Sequence, residues 1–198
     1  MIVTKEEFLK SKKRLMKELK NNVFIYPTDS IYGIGCDATN EKLVLKIREL
    51  KGSSIQPFSI IAPSKKWVYD NCIVNEKEKE FVEQLGKYIM IGDKEHRFTL
   101  ILKLKDKNAI AKNVNPGKDT IGVRIPNNWF SEIVSEMKVP IVTTSANKTG
   151  SDFMTTIENL HDDIKNRVDL IIYEGEKTGK PSTIINLDTN VPLVTPRA

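Results

Sequence analysis

The residues best suited to chemistry lie in the segment PIVTTSANKTG, from Pro140 to Gly150. An apolar, β-branched run changes there directly into hydroxyl and amide side chains closed by glycine. This pattern predicts a buried strand that carries polar groups to its C-terminal end. Because ligands bind at the carboxyl ends of strands in open α/β sheets, Thr144, Ser145 and Asn147 are candidate ligand contacts. The same composition is also typical of an ordinary strand-to-loop turn.

A second polar segment, YPTDSIYGIGCDA, holds Gly33, Gly35 and Ala38 at the spacing of a dinucleotide-binding turn. In that turn the first glycine directly follows a strand and a helix begins at the last position, whereas here several residues intervene. The match to an oxidoreductase is therefore weak. We interpret the segment instead as a strand end with hydroxyls from Thr28 and Ser30, where glycines let a ligand approach the backbone.

The segment GEKTGKPS, residues 175–182, is superficially similar to a phosphate-binding loop. Its glycine spacing is one residue too short, and Pro181 stands where the magnesium-binding Ser or Thr is required. We therefore interpret it as a surface loop that carries Ser182 toward the following strand.

Arg124 interrupts the otherwise apolar strand TIGVRIP. A buried guanidinium needs an anionic partner, which is either a bound anion or a structural Asp or Glu. Lys51 and Arg197 also lie near predicted helix or strand ends rather than within mixed-charge helical faces. These three cations are the candidates for anion contacts.

The remaining inventory favours one style of catalysis. The two histidines, His96 and His161, lie in no metal-ligand spacing, and the sequence holds neither a nucleophile elbow nor a His-Glu-x-x-His motif. An enzyme with these residues would position substrates for phosphoryl or nucleotidyl transfer rather than use a dedicated nucleophile.

The composition is that of a globular protein, with 39% hydrophobic and 29% charged residues in 198. We expect one domain over residues 1–198. A net charge of +5 favours anionic ligands such as nucleotides or RNA, although mixed-sign helical stretches explain many of the lysines. Cys36 and Cys72 are too few for a zinc site and are expected to be reduced thiols. Because no apolar run is long enough to span a bilayer and no secretory pattern opens the chain, we expect no membrane contact and a cytoplasmic location.

Hydrophobic periodicity predicts helices interspersed with many short strands. That arrangement indicates an α/β or α+β fold with one extensive, twisted, mixed sheet. The predicted helices span residues 5–19, 41–50, 65–71, 76–85, 129–137 and 156–164. The predicted strands span residues 23–26, 58–62, 98–104, 120–125, 139–143, 168–173, 183–187 and 192–194.

Four segments occur in a recognisable order: YPTDSIYGIG, then LKG with PFSI, then GVRIP, then TSANKTG. Together they resemble the YrdC-like family, the threonylcarbamoyl-AMP synthases, and the resemblance continues through PSTIINL to Arg197. The first and fourth segments are the specific ones, and the length matches the short, single-domain form. The resemblance implies a twisted mixed sheet flanked by helices around a concave, positively charged cavity.

The resemblance also implies a reaction. L-threonine and bicarbonate would form a carbamate that attacks the α-phosphate of ATP, which gives threonylcarbamoyl-AMP and pyrophosphate. Mg²⁺ would accompany ATP, and no protein side chain is expected to bind a metal ion. A tRNA threonylcarbamoyl transferase complex would then move the threonylcarbamoyl group onto tRNA.

Residue roles follow from the matching motifs, and no residue is expected to act as a covalent or acid–base catalyst. Threonine-binding residues are expected at Thr28, Thr99, Arg124, Thr144 and Ser182. ATP-binding residues are expected at Lys51, Ser145, Asn147 and Arg197.

The sequence departs from the family pattern at three places. Ser53 stands where the family usually has an arginine, so one expected phosphate contact is missing. Residues 95–97, Glu-His-Arg, replace the Pro-Gly-Pro that usually precedes the threonine at Thr99, and Arg97 is a candidate for the missing charge. The chain ends Arg197-Ala198 where a glycine commonly follows the arginine.

Two other functions fit parts of the sequence. A non-catalytic RNA-binding module would use the same basic cavity, because phosphate binding without chemistry needs the same cations. The carbamoyl-transfer domain of hydrogenase maturation proteins shares the fold, but it normally lies within a longer chain with zinc-finger cysteines, which this sequence lacks.

Overall fold

The computed structural model describes residues 1–52, 55–187 and 193–195 of the chain. Within these residues the backbone forms helices that surround one large sheet and a small separate hairpin. The helices are α1 (Lys5–Lys10), α2 (Lys12–Asn21), α3 (Glu41–Lys51), α4 (Lys65–Asn71), α5 (Glu76–Gln84), α6 (Phe130–Met137) and α7 (Asp162–Arg167).

The strands are short, and most of them belong to the large sheet. They are β1 (Ile2–Thr4), β2 (Phe24–Pro27), β3 (Tyr32–Gly35), β4 (Ser59–Ile61), β5 (Cys72–Ile73), β6 (Ile89–Ile91), β7 (Lys94–His96), β8 (Phe98–Leu104), β9 (Thr120–Arg124), β10 (Ile141–Ser145), β11 (Leu170–Tyr173), β12 (Thr183–Asn186) and β13 (Leu193–Thr195).

The strand order in the large sheet is β1-β11-β2-β3-β10-β4-β9-β8-β12-β13, and β5 pairs with β8 beside this path. The pairs β1–β11, β2–β11, β4–β9 and β8–β12 are parallel, and the other pairs are antiparallel. Strands β6 and β7 pair only with each other in the described part of the chain. The predicted twisted, mixed sheet flanked by helices is therefore confirmed.

The sheet is covered by helices on both faces, and β2 shows why. All four of its residues are buried, as expected of a strand packed on two sides. Phe24 and Tyr26 face a core formed with α1, α2 and α6, whereas Ile25 faces a core formed with α3, α4, α5 and α7. Successive side chains of a strand point to opposite faces, so this single strand joins both cores.

Local signals begin and end the helices. The Thr4 hydroxyl accepts the N–H of Glu7 while the Glu7 carboxylate accepts the N–H of Thr4, a capping box that starts α1. Asn40 caps α3 in the same way through the N–H of Leu43. Gly52 ends α3 in a left-handed conformation with φ of 62°.

Two predicted helices are wrong in extent. The predicted helix over residues 5–19 is divided at Ser11, whose φ and ψ of −109° and 21° lie outside the helical range. The predicted helix over residues 156–164 forms later, at Asp162–Arg167, because Asn159 Oδ1 accepts the N–H groups of Thr155 and Thr156 and holds a turn there.

Strand β3 was missed, because half of its residues are glycines without an apolar signal. The prediction that these glycines open the backbone to a ligand is wrong for Gly35. A Cβ at Gly35 would lie 2.5 Å from the carbonyl oxygen of Val142 in β10. A Cβ at Gly33 would lie 2.9 Å from the Tyr26 ring, although Gly33 also lines the cavity described below. Both glycines allow close packing within the protein.

The close packing at Gly35 predicts that a larger side chain there destabilises the fold. We expect Gly35→Ala to lower the free energy of unfolding by about 3 kcal/mol, because the added methyl group meets a backbone oxygen that has no room to move. Urea denaturation measures this loss. The control is Gly92→Ala, where φ is 61° and no atom lies within 4 Å of the added carbon. Backbone strain alone predicts a loss of about 1 kcal/mol there, so equal losses would contradict the packing explanation.

Candidate functional site

A cavity of about 460 Å³ lies over the middle of the large sheet. Hydroxyl side chains make up much of its wall, namely Thr28, Ser59, Thr99, Thr143, Thr144, Ser145, Ser151 and Ser182. The other described lining residues are Ile31, Tyr32, Gly33, Arg124, Asn147, Asp152, Phe153 and Pro181.

Strand β10 lies at the centre of this wall, antiparallel to both of its neighbours. Ser145 is paired with Gly33 of β3, and Thr143 is paired with Ser59 of β4. The end of β10 therefore meets the beginnings of β3 and β4. Thr144, Ser145 and Asn147 lie at or just after the carboxyl end of β10 and line the cavity, whereas β3 and β4 contribute residues from their amino ends.

Thr28 shapes the turn that joins β2 to β3. Its hydroxyl donates to the carbonyl oxygen of Ile31 at 2.7 Å and accepts the N–H of Ser30 at 3.1 Å. Its backbone N–H also donates to Ile31 O at 3.1 Å. The Thr28 side chain is buried, and these hydrogen bonds within the protein fix its position.

Lys51 joins the end of α3 to the loop that follows β10. Its ammonium donates to the carbonyl oxygens of Ser145 and Asn147 at 2.8 and 2.9 Å, and to Asn147 Oδ1 at 2.9 Å. The Ser145 hydroxyl donates to the same Oδ1 at 2.6 Å, and Asn147 Nδ2 donates to Ser151 O at 2.5 Å. All three ammonium donors are thus used within the protein.

The Lys51 ammonium is buried, and this changes its acidity. Burial lowers the pKa of Lys51 from its ordinary value of 10.5 to about 8, because the charged form is poorly solvated. Three accepting oxygens nevertheless stabilise the ammonium at neutral pH.

Arg124 lies at the end of β9 with its side chain in the cavity wall. Its Nη2 donates to Asp29 Oδ1 at 2.6 Å, and the two side chains are 7% and 6% exposed. Of the two partners that the sequence left open for Arg124, the structure contains the structural aspartate. Arg124 still lines the cavity, and its Nε is buried without a hydrogen-bond partner.

The loop between β11 and β12 closes another side of the cavity. Ser182 Oγ lies 2.8 Å from Thr99 Oγ1, and both side chains are buried. Tyr32 holds the start of the same loop, since its hydroxyl donates to Gly175 O at 2.6 Å and accepts the N–H of Glu174 at 3.0 Å. Burial raises the pKa of the Tyr32 hydroxyl, so it remains a donor across the physiological range.

The structure brings most of the predicted site residues together. Lys51 is not among the described lining residues, because its ammonium is turned into the loop after β10. Ser53 and Arg197 lie outside the described residues. The predicted residues that line one cavity are Thr28, Thr99, Arg124, Thr144, Ser145, Asn147 and Ser182.

The predicted basic character of the cavity is not shown. Among its described lining residues, Arg124 is the one cation, and it is paired with Asp29, while Asp152 adds a carboxylate. Arg97, the candidate for the missing charge, is not among those lining residues. Its guanidinium lies over the Tyr88 ring, 5.1 Å from the centroid.

Sequence reasoning missed several residues of the site. Asp29 and Tyr32 lie inside the YPTDSIYGIG segment, so the motif itself was the available signal. Ser59 lies in the weaker PFSI segment. Asp152 and Phe153 follow TSANKTG and carry no pattern that distinguishes them from a loop.

The described residues hold neither a cluster of metal ligands nor a helix that could cross a membrane. No group of three or more His, Cys, Asp or Glu side chains is arranged there to hold a metal ion. No helix in this part of the chain has the length and apolar character needed to cross a bilayer. Cys36 and Cys72 are free and buried, and burial raises the pKa of both thiols, to about 12 for Cys72.

Comparison with known proteins identifies the family. The chain matches the Sua5/YciO/YrdC family model, described as Telomere recombination, over residues 18–197. It therefore belongs to the Sua5/YciO/YrdC family. A Methanocaldococcus jannaschii protein provisionally named threonylcarbamoyl-AMP synthase is 37% identical over 191 residues, which cover 94% of this chain and 84% of that protein. The Escherichia coli protein YciO, named as uncharacterized, is 29% identical over 88% of this chain and 82% of its own length.

A solved structure confirms the fold. Pyrococcus abyssi Sua5 in complex with L-threonine matches with a TM-score of 0.82 at 22% sequence identity. The match covers 98% of this chain and 56% of the Sua5 chain, so this chain spans little more than half of that relative. At this identity the likeness establishes a shared fold, and the predicted YrdC-like membership is confirmed by the family match.

The Lys51 contacts predict a change in local motion. We expect Lys51→Met to raise amide hydrogen exchange in residues 145–151 by about tenfold, because the loop loses its buried anchor. Exchange measured by mass spectrometry reports this effect. Lys46→Met on the same helix is the control, since Lys46 bonds Asp169 on the partly exposed outer side at 2.8 Å. Similar exchange in both variants would show that Lys51 does not hold the loop.

The lowered pKa of Lys51 predicts a pH dependence of stability. Between about pH 8 and 10.5 the unfolded chain binds a proton that the folded chain has lost, so folding stability rises with pH in that window. Over this pH range, we expect the free energy of unfolding of the wild type to rise by roughly 2 kcal/mol relative to that of Lys51→Met. Urea denaturation at several pH values measures the difference. A constant difference between the two proteins would mean that Lys51 has an ordinary pKa in the fold.

Proposed function

We propose that this protein is an L-threonylcarbamoyladenylate synthase, which forms threonylcarbamoyl-AMP and pyrophosphate from L-threonine, bicarbonate and ATP. The observation that carries the proposal is the gathering, in one cavity, of seven of the nine residues that the family motifs assign to threonine and ATP. The 37% identical relative with this provisional name supports it. A threonine complex of a protein with the same fold supports the choice of amino acid.

The proposed reaction needs orientation more than it needs a protein nucleophile. The amine of threonine adds to the carbon of bicarbonate and water leaves, which gives a carbamate. A carbamate oxygen then forms a bond to the α-phosphorus of ATP while the bond from that phosphorus to the bridging oxygen breaks, and pyrophosphate leaves. Holding the reacting groups in line supplies much of the rate enhancement in such transfers.

The cavity wall is suited to this task. Neutral hydroxyls such as Thr99, Thr144 and Ser182 donate and accept hydrogen bonds without competing as strong nucleophiles at neutral pH. Arg124 offers a cation for an anionic group of the substrate. Ser145 and Asn147 are held in place by Lys51, so we assign Lys51 the additional role of fixing the residues proposed to contact ATP.

We infer that Mg²⁺ enters with ATP rather than residing in the protein. The described residues contain no three-carboxylate or histidine cluster, and Mg²⁺ commonly keeps substrate phosphates and water as ligands. The ion would neutralise phosphate charge as pyrophosphate leaves. Asp152 is the one carboxylate among the described lining residues.

The product is an activated mixed anhydride, so we expect another protein to consume it. We propose that a tRNA threonylcarbamoyl transferase complex accepts it in the cytoplasm and modifies tRNA. Direct RNA binding by this chain would be a separate function. It is not favoured, because the cavity is not shown to be basic. A hydrogenase-maturation role lacks the zinc-finger cysteines, since the sequence holds only Cys36 and Cys72.

One assay tests the proposed reaction. Purified protein with ATP, Mg²⁺, bicarbonate and labelled L-threonine is expected to release pyrophosphate only when threonine is present, and to form threonylcarbamoyl-AMP. Asn147→Ala is expected to lower kcat/KM by at least about tenfold, because it removes the Oδ1 that accepts hydrogen bonds from both Lys51 and Ser145. Asn159→Ala is the matched control, since that amide accepts two backbone N–H groups away from the cavity. Absence of product together with salt-sensitive RNA binding would favour the RNA-binding module instead.

A further inference from the structure

Arg124 in the cavity wall forms an ion pair with Asp29. Both side chains are buried, and Nη2 of Arg124 lies 2.6 Å from Oδ1 of Asp29. A buried guanidinium without a countercharge is strongly unfavourable. Asp29 therefore supplies the countercharge of Arg124 and holds it in the cavity wall.

The second oxygen of Asp29 is used elsewhere. Oδ2 accepts the backbone N–H of Asn127 at 2.9 Å, in the turn that follows β9. The neighbouring Asn128 donates from Nδ2 to Pro27 O at 2.8 Å and ties the same turn to the end of β2. The carboxylate is thus fixed from two sides, and only one of its oxygens bonds the guanidinium.

This arrangement leaves a donor of Arg124 unused. Its Nε–H is buried and has no hydrogen-bond partner. Buried donors are nearly always satisfied, because an unsatisfied one loses its hydration without compensation. Arg124 lines the cavity and keeps 7% of its side-chain surface exposed, so a bound anion would meet the exposed part of the guanidinium rather than the buried Nε.

We propose that Asp29 is a positioning residue that holds Arg124 for the carboxylate of the amino-acid substrate, an inference that rests on the proposed synthase function. The pair has no net charge. It selects a ligand through the direction of its remaining hydrogen bonds rather than through overall attraction, which suits a singly charged carboxylate better than a triphosphate. Asp29 would thus act on threonine through Arg124, which the family motifs already place among the threonine-binding residues.

The test uses Asp29→Asn, which keeps the size and one acceptor of the side chain and removes its charge. We expect the KM for L-threonine to rise about tenfold, as for loss of a charged hydrogen bond. The KM for ATP and kcat at saturating threonine should change by less than about twofold. In competition calorimetry, the preference for L-threonine over L-threoninamide should fall by the same factor as the threonine affinity, because threoninamide has no carboxylate.

Two further variants separate positioning from folding. Asp169→Asn is the matched control, because Asp169 Oδ2 also accepts a backbone N–H, from Val23 at 3.1 Å, and a cation, Lys46 at 2.8 Å, outside the cavity. Its threonine KM should stay unchanged. The double variant Asp29→Asn/Arg124→Gln leaves no unpaired buried charge and should bind threonine as Arg124→Gln does, since Asp29 acts through Arg124.

Three results would overturn the inference: an unchanged threonine KM in folded Asp29→Asn, equal rises in the KM values for threonine and ATP, or a further loss in the double variant. A different result would separate the two proposals. If the wild type binds L-threonine and Asp29→Asn weakens that binding, but the wild type forms no threonylcarbamoyl-AMP, the proposed function is overturned and the role of Asp29 is supported. Wild-type protein that binds no threonine would overturn both.

Discussion

Burial of two cations beside the cavity is the constraint on which the site depends. An ammonium or guanidinium removed from water must find oxygen atoms in the protein, and the chain supplies them from distant segments. Lys51 draws the loop after β10 onto the end of α3 through three oxygens. Arg124 at the end of β9 bonds Asp29 in the turn after β2, and this pair holds the two segments together. These contacts fix the outline of the cavity before any substrate enters.

The mixed sheet explains why the wall is rich in hydroxyls and poor in net charge. Strand β10 runs antiparallel to β3 and β4, so the end of one strand meets the beginnings of two others, and each contributes short polar side chains such as Thr143 and Ser59. Gly122 of β9 leaves space for the Ser59 side chain, since a Cβ there would lie 2.4 Å from Ser59 Oγ. A wall of this kind orients a substrate by directed hydrogen bonds, in keeping with chemistry that needs no protein nucleophile.

Individual elements show which features of the structure could be predicted from sequence patterns. Helix α3 was predicted almost to the residue, because its apolar face and its cap at Asn40 are local signals. Strand β3 was not predicted, because Gly33 and Gly35 carry no side chains to show alternation. Thr28 in YPTDSIYGIG and Thr144, Ser145 and Asn147 in TSANKTG were identified by motif, whereas the basic cavity expected from the same resemblance was not shown. The neighbours that a strand acquires decide such features, and they are not encoded locally.

The sequence by itself determined the class of fold, the family and seven of the side chains that line the cavity, because these depend on periodicity and on motifs in a particular order. Only the tertiary structure decided what the charged groups do. In the folded protein the Lys51 ammonium donates to the loop after β10, and Arg124 pairs with Asp29, 95 residues away in the chain. The physical reason is that a charge is satisfied by whichever oxygens the folded backbone brings within hydrogen-bond distance, and sequence separation does not report that distance.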